Sequence, residues 1–158
     1  MAFILVKAVI EDSEMLHSGQ VSAFKPLLER YRDFDTSPAN EPISKVRSRI
    51  REGHFYKVMA DGQFAGAIRI KRGEETESHW ISPMFILPEW QGRGFAARTI
   101  QLAAEKYPEA GKWELATILE EEKNCRVYEK AGFTRTGVKK KLNDAATLVY
   151  FEKNGERA

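Results

Sequence analysis

Apolar and polar residues alternate over several short stretches of this chain and recur at helical spacing over others, so strands and helices are predicted to take turns. Phe3 to Ile10 is rich in β-formers and predicts a first strand. Asp12 and Ser13 then offer a helix N-cap, with Glu14 favourable in the first turn. Leu16, Ala23, Phe24, Leu27, Leu28 and Tyr31 follow at helical spacing, with Pro26 expected to break or restart the helix. Arg32 to Pro42 is polar, contains two prolines and predicts an exposed loop. Ile43, Val46 and Ile50 mark one face of a short helix that ends before Gly53. His54 to Ala60 and Gln63 to Lys71 predict a hairpin about Asp61-Gly62, a pair that accepts positive φ. A turn over Gly73 to Glu77 leads into a strand from Ser78 to Leu87. Beyond it come a helix from Ala97 to Tyr107, a strand from Trp113 to Leu119, and a helix from Glu122 to Ala131 capped by Gly132. Phe133 to Val138 and Thr147 to Phe151 are the last strands, separated by Lys139 to Ala145. Strands bracketing four helical segments give an α/β (α+β) sheet domain.

Composition narrows the class. A length of 158 residues suits one domain with a sizeable core, so 1–158 is read as a single domain. A net charge of +2 calls for no polyanionic partner. No apolar run approaches the roughly 20 residues that span a bilayer. Phe3-Ile4-Leu5-Val6 is interrupted by Lys7, soon followed by Glu11 and Asp12, and lacks a preceding basic region. It reads as a strand rather than a signal peptide. The single cysteine excludes an internal disulfide framework and fits a reducing cytosol, so a cytoplasmic location is expected. With no H-x-x-x-H or C-x-x-C pair, no metal site is expected.

Candidate chemistry begins at Gln91-Gly92-Arg93-Gly94-Phe95-Ala96, between the apolar run Met84-Phe85-Ile86-Leu87 and a helix. A strand feeding a glycine turn and a helix start is suited to phosphates: glycines let backbone approach, and first-turn N–H groups and the helix dipole point at the anion. The dinucleotide fingerprint fits poorly, because Ala97 stands at its third glycine and the turn lies past the midpoint of the chain. The nucleotide P-loop pattern is absent. Taken alone, the turn serves equally well as a structural strand-to-helix connection.

A second segment changes that balance. Gln91-x-x-Gly94-x-Ala96 resembles the Q/R-x-x-G-x-G/A acyl-CoA loop of the GNAT superfamily of N-acetyltransferases. Asn124-Cys125-Arg126-Val127-Tyr128-Glu129-Lys130-Ala131-Gly132-Phe133 resembles the superfamily's N-x-x-x-Y-E-K-x-G-F segment at its expected distance. The core of the resemblance runs from Ser78 to Thr136. It implies a mixed, mostly antiparallel sheet of about six to seven strands, flanked by about four helices and splayed near the acyl-CoA site. It also implies acetyl-CoA as donor and an amine, small or peptide-borne, as acceptor. On the resemblance, Gln91, Gly92, Arg93, Gly94, Phe95 and Ala96 hold the pyrophosphate, while the backbone of Met84, Phe85 and Ile86 faces the pantetheine and the acetyl carbonyl. Asn124 would hydrogen-bond the CoA arm, and Tyr128 would protonate the leaving sulfur. These two lie four apart, on one helix face. A phenol near its ordinary pKa of about 10 keeps its proton at neutral pH and can give it to a basic thiolate. By spacing alone, Tyr128 reads as a packed aromatic beside Val127 and Ala131. Pro83, lacking a ladder donor, fits the bulge that the family carries in this strand, or simply a strand edge.

The general base is less marked. Some members of the family place a glutamate upstream of the acyl-CoA loop, whereas Ser78-His79-Trp80-Ile81-Ser82 has no carboxylate. His79, with an unperturbed pKa near 6.5, has suitable chemistry. Glu120 and water-relayed deprotonation are the alternatives. Tyr31-Arg32-Asp33-Phe34-Asp35 interleaves aromatics and carboxylates in a way that would attract a cationic amine, or else forms a solvated loop. Phe55, Tyr56, Phe64 and Trp80 would line a pocket or, for the most part, fill the core. Lys139-Lys140-Lys141 reads as a solvated hairpin loop rather than a nucleic-acid site, and Cys125 as an inert helix cysteine. The rival readings are a non-catalytic acyl-CoA-binding sensor or interaction module and, last, a nucleic-acid-associated domain. Homodimers are common in the family, and no residue in the sequence singles one out.

Overall fold

The computed structural model describes residues 2–72 and 77–155. Most of the expected turn at Gly73 to Glu77, residues 73–76, lies outside the described residues. The elements run β1 (Phe3–Lys7), α1 (Ser13–Tyr31), α2 (Ile43–Glu52), β2 (Phe55–Ala60), β3 (Gln63–Arg72), β4 (Ser78–Ile86), α3 (Phe95–Lys106), β5 (Lys112–Ile118), α4 (Glu122–Lys130), β6 (Thr134–Lys141) and β7 (Thr147–Asn154). The seven strands hydrogen-bond in the order β1-β2-β3-β4-β5-β7-β6. The β4–β5 pair is parallel, while β1–β2, β2–β3, β5–β7 and β6–β7 are antiparallel. This is the mixed, mostly antiparallel sheet with four helices that the resemblance implies.

Contacts divide the chain into two units, Met1–Ile70 with Ser82–Phe95, and Lys71–Ile81 with Ala96–Ala158. In the first, the hairpin turns on Asp61 and Gly62 with φ of 49° and 78°, as the Asp-Gly pair requires. Leu16, Val46, Ile50, Phe55, Ala67, Phe85 and Leu87 pack together, with Phe24, Phe64 and Trp90 against them. Phe55 and Phe64 therefore belong to this core, as expected for most of the four candidate pocket aromatics. Helix α1 runs unbroken through Pro26, against expectation. Pro26 and Ser22, whose carbonyl loses its i+4 donor, are both exposed, so water can serve that carbonyl while Leu16 and Phe24 hold the helix down.

The segment joining α1 to α2 is pinned by Glu41. Its carboxylate accepts from both terminal nitrogens of Arg49 (2.7 and 3.0 Å) and from Gln20 Nε2 (2.8 Å), and lies 3.1 Å from Lys45 Nζ. His17 Nε2 lies 2.8 Å from the Glu41 carbonyl oxygen. Burial pushes the Glu41 pKa up, but Arg49 and Lys45 outweigh it and hold it below the ordinary value.

In the second unit, β5 is central. It pairs in parallel with Ser78, His79 and Trp80 of β4 on one side and antiparallel with Leu148 to Asn154 of β7 on the other. Trp113, Leu115, Val149 and Phe151 are buried on one face of this sheet. The basic run expected as a loop is strand instead: Lys139, Lys140 and Lys141 pair with Val149, Leu148 and Thr147, past a shift in register at Gly137. An edge strand exposed on both faces tolerates lysines, and hydrophobicity alone gives no sign of it.

Candidate active site

The strand β4 enters the glycine turn under close backbone control. A Cβ on Gly66 of β3 would lie 2.2 Å from the Phe85 carbonyl oxygen and 3.1 Å from the Ile86 Cα, so only glycine lets these strands pair there. Sequence reading passed over Gly66, although glycine inside a strand pattern signals such an approach. Arg69 of β3 donates to the Ser82 carbonyl (3.0 Å) and pairs with Glu52 (3.1 Å), fixing the chain one residue before Pro83. The Ser82-Pro83 peptide is cis. Phe85 and Ile86 are buried and Met84 is half-buried, so the side chains of this segment are largely spent on packing.

Beyond β4 the turn is built to expose backbone. Gln91 Nε2 donates to the Ile86 carbonyl (2.9 Å), tying turn to strand. Gly92 and Gly94 have φ of 78° and 75°, and a Cβ at either would meet nothing within 4 Å. Glycine is thus required for conformation and leaves open space at the start of α3, where first-turn N–H groups have no intrahelical acceptor. Phe95 is buried, stacked on Trp90 at 5.7 Å and 4.9 Å from Phe3. The Arg93 guanidinium lies 4.9 Å over the Trp90 ring. Trp90, which sequence reasoning missed, therefore anchors the turn from below. Ala96 is half-buried in the first turn of α3. A diphosphate fits this arrangement: open space, a helix start and an arginine held near the surface.

Helix α4 carries the other motif. Its C-terminus closes with Gly132 at φ 97°, the left-handed cap expected, and Lys153 Nζ donates to the Ala131 carbonyl (2.8 Å). The Tyr128 ring packs on Phe133 and Phe151, with centroids 6.3 and 6.2 Å away. The ring is thus a packed aromatic, as spacing alone suggests, with Phe133 and Phe151 as its aromatic neighbours. Burial first, and the neighbouring Cys125 second, push the Tyr128 phenol up to about 12. Asn124, one turn earlier, is half-buried. Cys125 is buried, its sulfur 3.7 Å from the Ile118 carbonyl oxygen, and burial raises its thiol pKa. It is the inert thiol expected.

His79 is 1% exposed, between Tyr107 and Trp113 with centroids at 5.6 and 5.4 Å, and its Nε2 is 3.7 Å from Glu109. Glu120 accepts the Thr147 N–H (2.8 Å) and so closes a loop. In the acidic-aromatic segment, Asp33 is buried and its carboxylate is engaged by the Thr36 hydroxyl and N–H, while Arg32 lies over Phe34. Trp80 is half-buried edge-on to Tyr150 at 6.1 Å. Among the described residues no group of three or more His, Cys, Asp and Glu could hold a metal ion, and no helix is long and apolar enough to cross a membrane.

The family model described as "Acetyltransferase (GNAT) family" matches residues 22–133. Among curated proteins, none matches the sequence. Among solved structures, a GNAT-family acetyltransferase from Streptococcus agalactiae 2603 superposes with a TM-score of 0.82 at 14% identity, over 98% of this chain and 96% of its own. The spermidine N-acetyltransferase from Vibrio cholerae, in complex with CoA and spermine, gives 0.77 at 17% identity, over 98% and 96%. The acetyltransferase from Salmonella typhimurium that modifies the N-terminal serine of ribosomal protein L7/L12 gives 0.76 at 14%, over 98% and 95%. At these identities the likeness is one of fold.

Proposed function

This chain belongs to the GNAT family of acetyltransferases, an N-acetyltransferase with acetyl-CoA as donor, and from that premise we propose which of its groups bind and react. Acetyl-CoA supplies the activated acetyl group and the thiolate that leaves. The backbone of Gln91 to Ala96 holds the diphosphate, with Arg93 adding its charge. Main-chain N–H groups in the Met84–Ile86 segment polarise the acetyl carbonyl, and Asn124 orients the pantetheine arm. The acceptor amine attacks the carbonyl carbon directly, the C–S bond breaks, and the Tyr128 hydroxyl gives its proton to the departing sulfur. The proton shed by the amine leaves through water. His79 is too enclosed to meet an acceptor, so its place between Tyr107 and Trp113 supports a packing role. Residues 1–158 act as one catalytic domain.

The acceptor is a primary amine on a small molecule or a peptide. Both kinds occur among the structural neighbours, as spermidine in one and an N-terminal serine in another.

The observation that carries the reading is the pair of positive-φ glycines opening onto free space at the start of α3. Calorimetric titration with acetyl-CoA, on the wild type and on Gly94→Glu, tests it. We expect binding by the wild type and its loss in a folded variant. A folded wild type that binds no acetyl-CoA overturns the assignment of the turn.

A further inference from the structure

Strand β6 ends the sheet, with β7 as its neighbouring strand. Each residue of Thr134–Lys141 except Thr136 is exposed, so the strand is wet on both faces. It carries Arg135, Lys139, Lys140 and Lys141 and no acidic residue. Arg135 is engaged locally, 3.8 Å from Glu129 and 5.7 Å from the Phe151 ring centroid. Lys141 lies 3.4 Å from Asp144, but both side chains are solvated and such a pair is worth little. Lys139, Lys140 and Lys141 thus set consecutive ammonium groups at one edge of a chain whose net charge is only +2.

The direction of the backbone groups along this edge follows from their neighbours. Leu142 N–H donates to the Ala146 carbonyl (2.9 Å), one step beyond the pairing of Lys141 with Thr147. Thr147 turns the other way: its carbonyl accepts from Leu119 N–H (2.7 Å), and its N–H donates to Glu120. Backbone groups alternate along an antiparallel ladder, so Leu142 and Lys140 face β7. Lys139 and Lys141 turn both N–H and C=O to the open edge. The window is short, because the register shifts between Arg135 and Lys139 on one side and Asn143 N–H returns to the Ala146 carbonyl on the other. Side chains alternate as well, which places Lys139 and Lys141 on one face and Lys140 on the opposite one.

We propose that Lys139 to Lys141 dock an extended acidic segment of a partner protein, which adds an antiparallel strand to the open edge of β6. The outward N–H and C=O groups of Lys139 and Lys141 supply the main-chain bonds, and the lysines choose the side chains. A run of three acidic residues matches this window. Its first and third carboxylates fall on the face of Lys141 and Lys139, and its second on the face of Lys140. A second copy of β6 is selected against, since antiparallel self-pairing about Lys140 sets Lys140 on Lys140 and Lys139 on Lys141. An apolar strand gains little, because both faces of β6 are exposed and offer no core to join. A nucleic acid would use the charge but not the alternating backbone groups, and the small net charge gives it no wider field. The lysines that keep this edge from its own copy are thus the ones that admit an acidic strand.

Fluorescence anisotropy of the fluorescein-labelled peptide Thr-Val-Glu-Glu-Glu-Val-Thr, titrated with the full chain, tests this. The wild type is expected to bind it saturably. N-methylation of the first and third glutamates keeps the charge but removes the donors that face Lys139 and Lys141, and should weaken binding about tenfold or more. N-methylation of the middle glutamate, whose N–H points away from β6, should change affinity by less than about twofold. Lys139→Glu with Lys141→Glu replaces attraction by repulsion and should weaken binding by at least about tenfold. The peptide series is read on the wild type, so a variant that loses its circular dichroism spectrum leaves that arm of the test intact. A wild type that binds no peptide overturns the proposal, as does a folded double-glutamate variant that binds as well as wild type. Equal affinity for all three peptides, or displacement by a single-stranded RNA of the same charge as readily as by unlabelled peptide, would mean plain anion attraction and overturns it too.

Discussion

The glycine turn after β4 contributes main chain and open space, whereas α4 contributes side chains set in an apolar bed. At Gly92 and Gly94 a methyl group would touch nothing, and the space is left for something else. At Tyr128 the ring is packed on two phenylalanines and the hydroxyl is so poorly solvated that its pKa climbs to about 12. On the proposed reading, the first arrangement recognises an anion chiefly through main chain, with Arg93 adding its charge. On the same reading, the second keeps a proton in place until a strongly basic sulfur appears. The proposal therefore makes binding and proton transfer separable by mutation, because it assigns them to different parts of the chain and to different kinds of atoms.

The largest expected effect tests that separation. Tyr128→Phe should lower kcat by about 100- to 1000-fold while the KM for acetyl-CoA moves by less than about two-fold, as steady-state kinetics would record. Equal losses in both would merge the two roles. Because the phenol titrates only near 12, its ionisation cannot lower the wild-type rate below about pH 10. A fall in kcat already complete by pH 9 would assign the proton to another group.

Next comes Gly66→Ala, expected to cost about 2–3 kcal/mol in urea denaturation, since the added methyl collides with a backbone carbonyl that cannot swing aside. A cost near zero would mean that β3 and β4 adjust freely, and the backbone of Met84 to Ile86 would lose its claim to be a fixed surface. Glu41→Gln belongs to neither region and sets the scale of a structural ion pair, about 1–2 kcal/mol at neutral pH. Its carboxylate pKa is lowered on folding, so the contribution is present above the unfolded value of 4.5 and is lost as pH falls through the folded value. The gap between wild type and variant should close in acid. A gap that persists at pH 2 would show that Arg49 and Lys45 do not act through the charge of Glu41.

Much of this could be read in the sequence, for identifiable reasons. The Asp61-Gly62 hairpin, the Gly132 cap and the glycine turn rest on local conformational rules that surroundings seldom override. Helix α3 begins at Phe95 rather than Ala97, and β1 stops at Lys7 rather than Ile10, because hydrophobic patterns mark elements better than ends. Three features were hidden for a stronger reason, namely that tertiary neighbours decide them. Lys139 to Lys141 join a strand because β7 lies beside them. Gly66 matters through Phe85, nineteen positions away. His79, chemically suited to be a base, lies on a face that the sequence could not assign, and that face carries Tyr107 and Trp113.

The lone thiol, Cys125, lies one residue from Asn124 and three from Tyr128 and is 1% exposed. Thiol-reactive dyes should therefore pass over the native protein and register only released CoA, so turnover can be followed continuously without masking the enzyme. The same seclusion makes alkylation of Cys125 a clock: each modification counts an opening of α4, and the ligand that slows it is one that holds this helix shut.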